Sequence, residues 1–166
     1  MTQEAAAIIM LALMLLALGL AGWGWFNRRS RYTELEASLI LEIPDSPVFY
    51  EVDGLYVATT VADKPLERVA IGPLSYRAKT TLALTKEGLV VRPQGERPVL
   101  LTGADGLRAG VATWTIDRAV EPEGLTFVRW DINGFPLESY FRIVETDRTA
   151  LVKKINEREV LLSEEG

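Results

Sequence analysis

An uninterrupted uncharged run near the start of the chain limits its possible structures more than any other feature. Glu4 is the only ionisable side chain ahead of Arg28, and residues 5–26 carry none. As a helix, those 22 residues would rise about 33 Å, enough to cross a hydrocarbon core of about 30 Å. A cleaved signal peptide has a basic start and a shorter apolar stretch, whereas here Glu4 precedes the run and Arg28, Arg29 and Arg31 stop it. A buried core helix fits no better. The pattern predicts an N-terminal transmembrane helix over 5–26, with residues 1–4 as a short extracytoplasmic end. Arginine-rich flanks stay on the cytoplasmic side, so the expected location is the cell membrane, single-pass, with the C-terminal domain cytoplasmic. Trp23, Trp25 and Phe26 sit beside the basic stop. With Arg28, Arg29 and Arg31 they form the predicted membrane-interface set, since amphipathic rings rest at headgroup level. Ala17, Gly19, Ala21, Gly22 and Gly24 would permit close helix pairing, although glycine is common in membrane helices anyway.

The absences are equally limiting. With no cysteine and no histidine, the chain has no disulfide, thiol nucleophile, Ser-His-Asp or Cys-His arrangement, or histidine-containing zinc site. A metal would need an oxygen shell of carboxylates, and no such cluster stands out, so no cofactor or metal is expected. Residues 1–31 hold Glu4 against three arginines, and setting them aside moves the net charge from −5 to −7. So acidic a remainder has no overall attraction for nucleic acid or an anionic bilayer, leaving only local basic patches to consider.

Residues 27–47 form a basic stop and connector. Leu35 and Leu39 are spaced to continue the helix, and Pro44 and Pro47 end it. From residue 48 to 162 short runs of β-branched and aromatic residues alternate with turn residues, the pattern of an antiparallel domain. Asp53-Gly54 reads as a tight hairpin between strands 48–53 and 55–61. Leu82 and Leu84 alternate with Thr81, Ala83 and Thr85 in a strand reaching 85, and Lys86-Glu87-Gly88 turns into 89–92. Gly95 separates that strand from 97–102. The glycine-rich 103–110 reads as a loop with room for one helical turn, and lacks the lysine and hydroxyl residue of a phosphate-binding loop. Strands at 111–118, 125–132 and 135–144 follow, the last two joined by Asn133-Gly134. In the first of them Ala112, Trp114 and Ile116 share a face opposite Thr113 and Thr115. From Asp147 the period becomes helical, with Leu151, Ile155 and Leu162 in one stripe that must cover a face or open end of the sheet. Thr146 or Asp147 would cap it, and 163–166 should fray.

About seven antiparallel strands and a C-terminal helix resemble the pleckstrin-homology (PH) architecture, a bent antiparallel sheet or partly open barrel closed at one end by the helix. Tyr56-Val57-Ala58-Thr59-Thr60, Ile71-Gly72-Pro73 and Gly88-Leu89-Val90-Val91 resemble segments of the bacterial PH-like domain proteins of actinobacteria that carry one N-terminal membrane segment. The resemblance implies a recognition or scaffolding module for proteins, peptides or lipid headgroups. Phosphoinositide-binding members carry a basic cluster in the first hairpin loop, whereas Asp53-Gly54, flanked by Glu51, is acidic.

An enzyme would have to gather Asp105, Asp117, Asp131 or Glu138 with Arg108, Arg129 or Arg142. Charged strand residues of this kind usually form a solvated face, with Arg129 and Arg142 paired to Asp131 and Glu138 across strands. Trp130 and the Gly134-Phe135-Pro136-Leu137 run read as core before they read as an aromatic binding surface. The expected function is a membrane-anchored noncatalytic adaptor, scaffold or accessory subunit contacting a cytoplasmic or membrane protein. The alternative is an anionic-lipid sensor in which Lys64, Arg68, Arg77 and Lys79 join the three juxtamembrane arginines.

Overall fold

Side-chain alternation after residue 47 becomes one antiparallel sheet, folded back on itself through its longest strand. The computed structural model describes residues 3–112 and 124–164, with side chains described at 8–24, 32–112, 124–144 and 147–158. Helix α1 (Gln3–Ala37) is followed by β1 (Val48–Val61), β2 (Lys64–Arg68), a 3-10 turn (Gly72–Leu74), β3 (Ala78–Thr85), β4 (Leu89–Pro93), β5 (Val99–Leu101), β6 (Arg108–Ala112), β7 (Leu125–Ile132), β8 (Phe135–Arg142) and helix α2 (Glu145–Glu164). The sheet order is β5-β4-β3-β1-β8-β7-β6, with β2 paired to β1 off this path.

β1 makes the bend. Its first part, Val48 to Tyr56, pairs with β3, and its second, Leu55 to Val61, pairs with β8. Leu82, Leu84, Leu89, Val91, Val99 and Leu101 from one half therefore share a core with Val128, Trp130, Ile132, Leu137 and Phe141 from the other. The expected hairpin at Asp53-Gly54 is a correction: Gly54 lies inside β1, paired with Thr80. Glycine is needed there for space rather than for a turn, because a Cβ would stand 3.0 Å from the Arg142 carbonyl oxygen and 3.1 Å from Ile143 Cγ1. The first hairpin comes later, where Asp63, with φ of 62°, turns β1 into β2. Asn133-Gly134 does make the turn its sequence suggests, both residues having positive φ, as the two-residue turn between twisted strands requires.

β6 corrects a second expectation. Residues 108–110 are strand rather than loop and continue into 111–112, where a strand was expected, while the rest of the expected 111–118 strand, with Trp114, Ile116 and Asp117, lies outside the described residues. α2 places Leu151 and Ile155, both fully buried, against the core. Its polar side chains attach it at two further places. Asn156 accepts from the Ala109 N–H and donates to the Ala109 carbonyl, both at 3.0 Å. Arg158 donates to the carbonyls of Thr85 and Lys86 at the β3–β4 turn. The bent antiparallel sheet with its C-terminal helix is thus present, and the helix runs through Ser163 to Glu164. The side chains of Thr146 and Leu162 lie outside those described.

The structure does not show the membrane span expected over 5–26. Among the described residues no helix is long and apolar enough to cross a membrane. Side chains in this part of α1 are described at 8–24, about 26 Å of rise against about 30 Å of hydrocarbon. The helix does go on past the arginines, as the spacing of Leu35 predicts. It continues to Ala37 and sinks Leu35 into the β core, where Leu39, just past its end, joins it. Beyond it, Ile40 forms a bridge with Leu100, and Ile43 covers a small outer cluster of Ala83, Val90 and Leu100. The outer face of β3, β4 and β5 is therefore partly dry, which explains why these strands are apolar on both sides.

Candidate functional site

The basic side chains expected to form one patch are divided by the fold. β2 is a short flank of β1, and Lys64, Pro65, Leu66, Glu67 and Arg68 line a cleft of about 470 Å³ together with Tyr32 of α1. Lys64 pairs with Glu67 at 3.7 Å, and Arg68 donates to the Ser75 carbonyl at 3.1 Å. Leu66 is 83% exposed on this ledge. Arg77 is exposed just ahead of β3. Lys79 belongs elsewhere, in an open groove of about 810 Å³ on the outer sheet face, with Gly54, Leu55, Arg92, Arg142 and Val144 among its walls.

That groove was not legible as a unit. Leu55 of β1 pairs with Lys79 on one side and Arg142 on the other. Paired residues in antiparallel strands project to the same face, so the two cations flank Leu55. In the neighbouring row Thr81 stands between Asp53 and Arg92, and its hydroxyl donates to Asp53 at 2.7 Å. Arg92 reaches Glu51 at 3.2 Å in an exposed pair. The one available signal was parity, since Lys79, Arg92 and Arg142 all sit on strand positions whose neighbours point inward.

A second charged cluster ties strands together. Arg129, in register with Glu138, bonds it at 2.6 Å and reaches Asp63 at 2.5 Å. These hydrogen bonds, first to Glu138 and then to Asp63, raise the Arg129 pKa further above its ordinary value. Tyr140 donates to the other Glu138 oxygen at 2.9 Å. Burial first, and this bond second, push the phenol up to about 12. Each charge has its partner, so the cluster holds the β1–β2 turn against β7 and β8 rather than offering an acid or base. Asp131, expected to pair with an arginine, instead accepts the N–H groups of Ala104 at 2.5 Å and Gly134 at 3.0 Å. Asp105 and Arg108 are exposed, Arg142 stands in the groove, Asp131 and Glu138 bond separate partners, and Asp117 lies outside the described residues. Among the described residues no group of three or more acidic side chains is placed to hold a metal ion.

The aromatic residues weighed as a binding surface are structural where they are described. Trp130 is buried and donates from Nε1 to Ser139 Oγ at 2.9 Å. Ser139 bonds Thr59 at 2.7 Å, Thr59 bonds the Tyr56 hydroxyl at 2.9 Å, and Tyr56 donates to the Leu74 carbonyl at 2.7 Å. The chain of hydroxyls fastens β7, β8, β1 and the 3-10 turn together inside the core. Burial pushes Tyr56 up to about 12. Of the predicted interface residues, Trp23 is 73% exposed on α1. The side chains of Trp25, Phe26, Arg28, Arg29 and Arg31 lie outside the described residues.

Comparison with known families agrees with this architecture. The bacterial PH domain-like family matches residues 40–158, well over half of the chain, from the bridge at Ile40 to α2. The match says nothing of an actinobacterial source or of a membrane span. No curated protein matches the chain. With its bent antiparallel sheet and covering helix, the chain belongs to the bacterial PH domain-like family.

Proposed function

We propose that this chain is a noncatalytic module held at a membrane by α1, with its PH-like domain on the cytoplasmic side recruiting a protein partner or joining a membrane complex. Family membership supports the first part, because PH-like domains are generally non-enzymatic modules for protein or lipid contacts. The observation that carries the membrane part is the surface of α1. Ile8, Met10, Leu13, Leu16, Leu18 and Leu20 are all more than half exposed, and together they leave no polar face. A helix apolar all round needs an apolar surrounding, and a bilayer supplies one without a partner protein. The uncharged sequence extends on both sides of the described side chains, from 5 to 26, which supports the length. Arg28, Arg29 and Arg31 support the cytoplasmic orientation. Confinement to a surface raises local concentration without new chemistry.

The test is purification of the full chain in mild detergent beside a version lacking residues 1–31, with mass spectrometry of what stays bound. A specific protein retained by both, and membrane residence resistant to alkaline carbonate only for the full chain, is the expected result. Release of the full chain by carbonate would remove the anchor. Failure of any protein to co-purify, with selective binding of anionic vesicles instead, would remove the protein-contact reading.

A second reading is favoured by one specific feature. The β2 ledge brings Lys64, Arg68 and exposed Leu66 next to Tyr32, six positions after the end of the uncharged run, about 9 Å along a helix. A ledge so near the anchor would touch headgroups, with Leu66 entering the interface. Charge reversal at Lys64 and Arg68 that leaves vesicle binding by the domain unchanged would exclude it.

A further inference from the structure

The outer groove combines features that no structural need explains. Lys79 and Arg142 flank Leu55 on three adjacent strands, with Cα atoms about 10 Å apart from two strand spacings. Among the described residues neither cation has an ion-pair partner, although the part of the chain after residue 31 carries a net charge of −7. The groove floor is apolar: Leu55 lies between the cations, and Val144, 69% exposed, stands beside them. Arg92 adds a third cation whose exposed contact with Glu51 exchanges readily for another carboxylate.

We infer that this groove binds an acidic, extended segment of a protein partner, with carboxylates on Lys79 and Arg142 and an apolar side chain on Leu55 and Val144. Alternate side chains of an extended segment recur about every 7 Å on one face. Carboxylates two places either side of an apolar residue share its face about 14 Å apart, and long cations rooted about 10 Å apart splay to meet them, the planar guanidinium of Arg142 taking a carboxylate by two parallel bonds. Asp53 in the groove wall disfavours the dense charge of a phosphorylated headgroup. Charge complementarity selects the occupant: the groove is a local basic strip on an acidic domain, so acidic segments are drawn there and repelled elsewhere.

This inference rests on the reading that the domain works through protein contacts, and the experiment separates the two. A display library of random short peptides is selected against the full chain in mild detergent. The strongest peptides are then titrated by fluorescence anisotropy onto wild type, the Lys79→Glu/Arg142→Glu double variant and the Lys64→Glu/Arg68→Glu double variant. Matched thermal melts serve as the check on folding. The expected result is enrichment of peptides rich in Asp and Glu with an apolar residue between them, binding weakened at least about tenfold by the groove variant and within about twofold of wild type in the ledge variant. Exchange of Glu for Gln in the peptide should reproduce the loss. Enriched peptides without acidic excess, or acidic peptides that bind the groove variant as well as wild type, would overturn the groove while leaving the protein-contact reading standing. No enrichment at all, with anionic vesicles bound by the same preparation, would overturn both. Should the double variant melt early, Arg142→Gln and Lys79→Gln singly provide the same comparison, and unchanged binding in both would again overturn the groove.

Discussion

The two long helices of this chain place apolar residues in opposite circumstances. α2 buries Leu151 and Ile155 completely against the sheet. Its exposed side chains among those described, Thr149, Lys153, Lys154, Asn156 and Glu157, are all polar, and Asn156 and Arg158 bond to the β domain. α1 keeps Leu35 in that same core near its C-terminal end, yet over 8–24 it exposes apolar side chains in every direction. Apolar content alone therefore says little about where a helix goes. Distribution decides: one stripe demands one surface, and apolarity all round demands an apolar surrounding.

The sharpest way to break the comparison is to put the same charge into both helices. Ile155→Asp replaces a side chain with no solvent exposure, losing its burial and leaving a carboxylate unpaired, so it should cost about 4 kcal/mol of domain stability, read as a large fall in the denaturation midpoint. Unchanged midpoints would remove α2 from the core. Leu13→Asp, at a position 57% exposed, should leave that midpoint unmoved and instead disfavour membrane insertion by about 3 kcal/mol, read as recovery in the soluble fraction after carbonate washing. A shifted domain midpoint in Leu13→Asp would mean that the apolar half of α1 covers the domain, and the contrast between the helices would fail.

Alkaline titration sharpens the same contrast. The Tyr56 phenol is buried and its pKa is raised to about 12 from 10.0. In the unfolded chain the proton leaves near 10. A raised folded-state pKa means that the stabilisation is fully present below pH 10 and is lost as pH climbs towards 12, roughly 2–3 kcal/mol for this group. Positions 5–26 carry nothing that titrates. The domain should thus weaken between pH 10 and 12 while the chain stays with the membrane. Tyr56→Phe should flatten that part of the profile, and a profile identical to wild type would assign the alkaline loss to other groups.

These comparisons also show which parts of the fold were open to sequence reasoning. β7 at 125–132 and the α2 stripe could be read because their burial follows one period over several residues. β1 could not be read as one strand, because Asp53-Gly54 has the chemistry of a turn, and the reason for Gly54, a close pass by Arg142 and Ile143, lies far away in the sequence. β6 was hidden because Arg-Ala-Gly-Val-Ala offers little β propensity and takes its place from pairing with β7. The groove is the extreme case. Lys79 and Arg142 meet only because both pair with Leu55, and alternation reveals a residue's face but never its register. The grouping of Lys64, Arg68, Arg77 and Lys79 followed nearness in sequence, and the fold separates the β2 ledge from the groove.

The smallest effect tests whether α2 is held by burial or by its polar bonds. Asn156 offers its amide to the edge of β6 as a neighbouring strand would, accepting from the Ala109 N–H and donating to the Ala109 carbonyl. Both bonds lie at an exposed edge, so in Asn156→Ala the freed backbone groups turn to water and the net loss should be about 1 kcal/mol. That is a fraction of the effect expected for its neighbour Ile155. The local consequence should be clearer than the global one, since the Ala109 amide loses its acceptor and should exchange with solvent faster while the β1 amides keep their protection. A midpoint shift as large as that of Ile155→Asp would mean that closure of the β6 edge, rather than the apolar stripe, holds α2 in place. The contrast drawn between the two helices would then rest on hydrogen bonding instead of on the distribution of apolar surface.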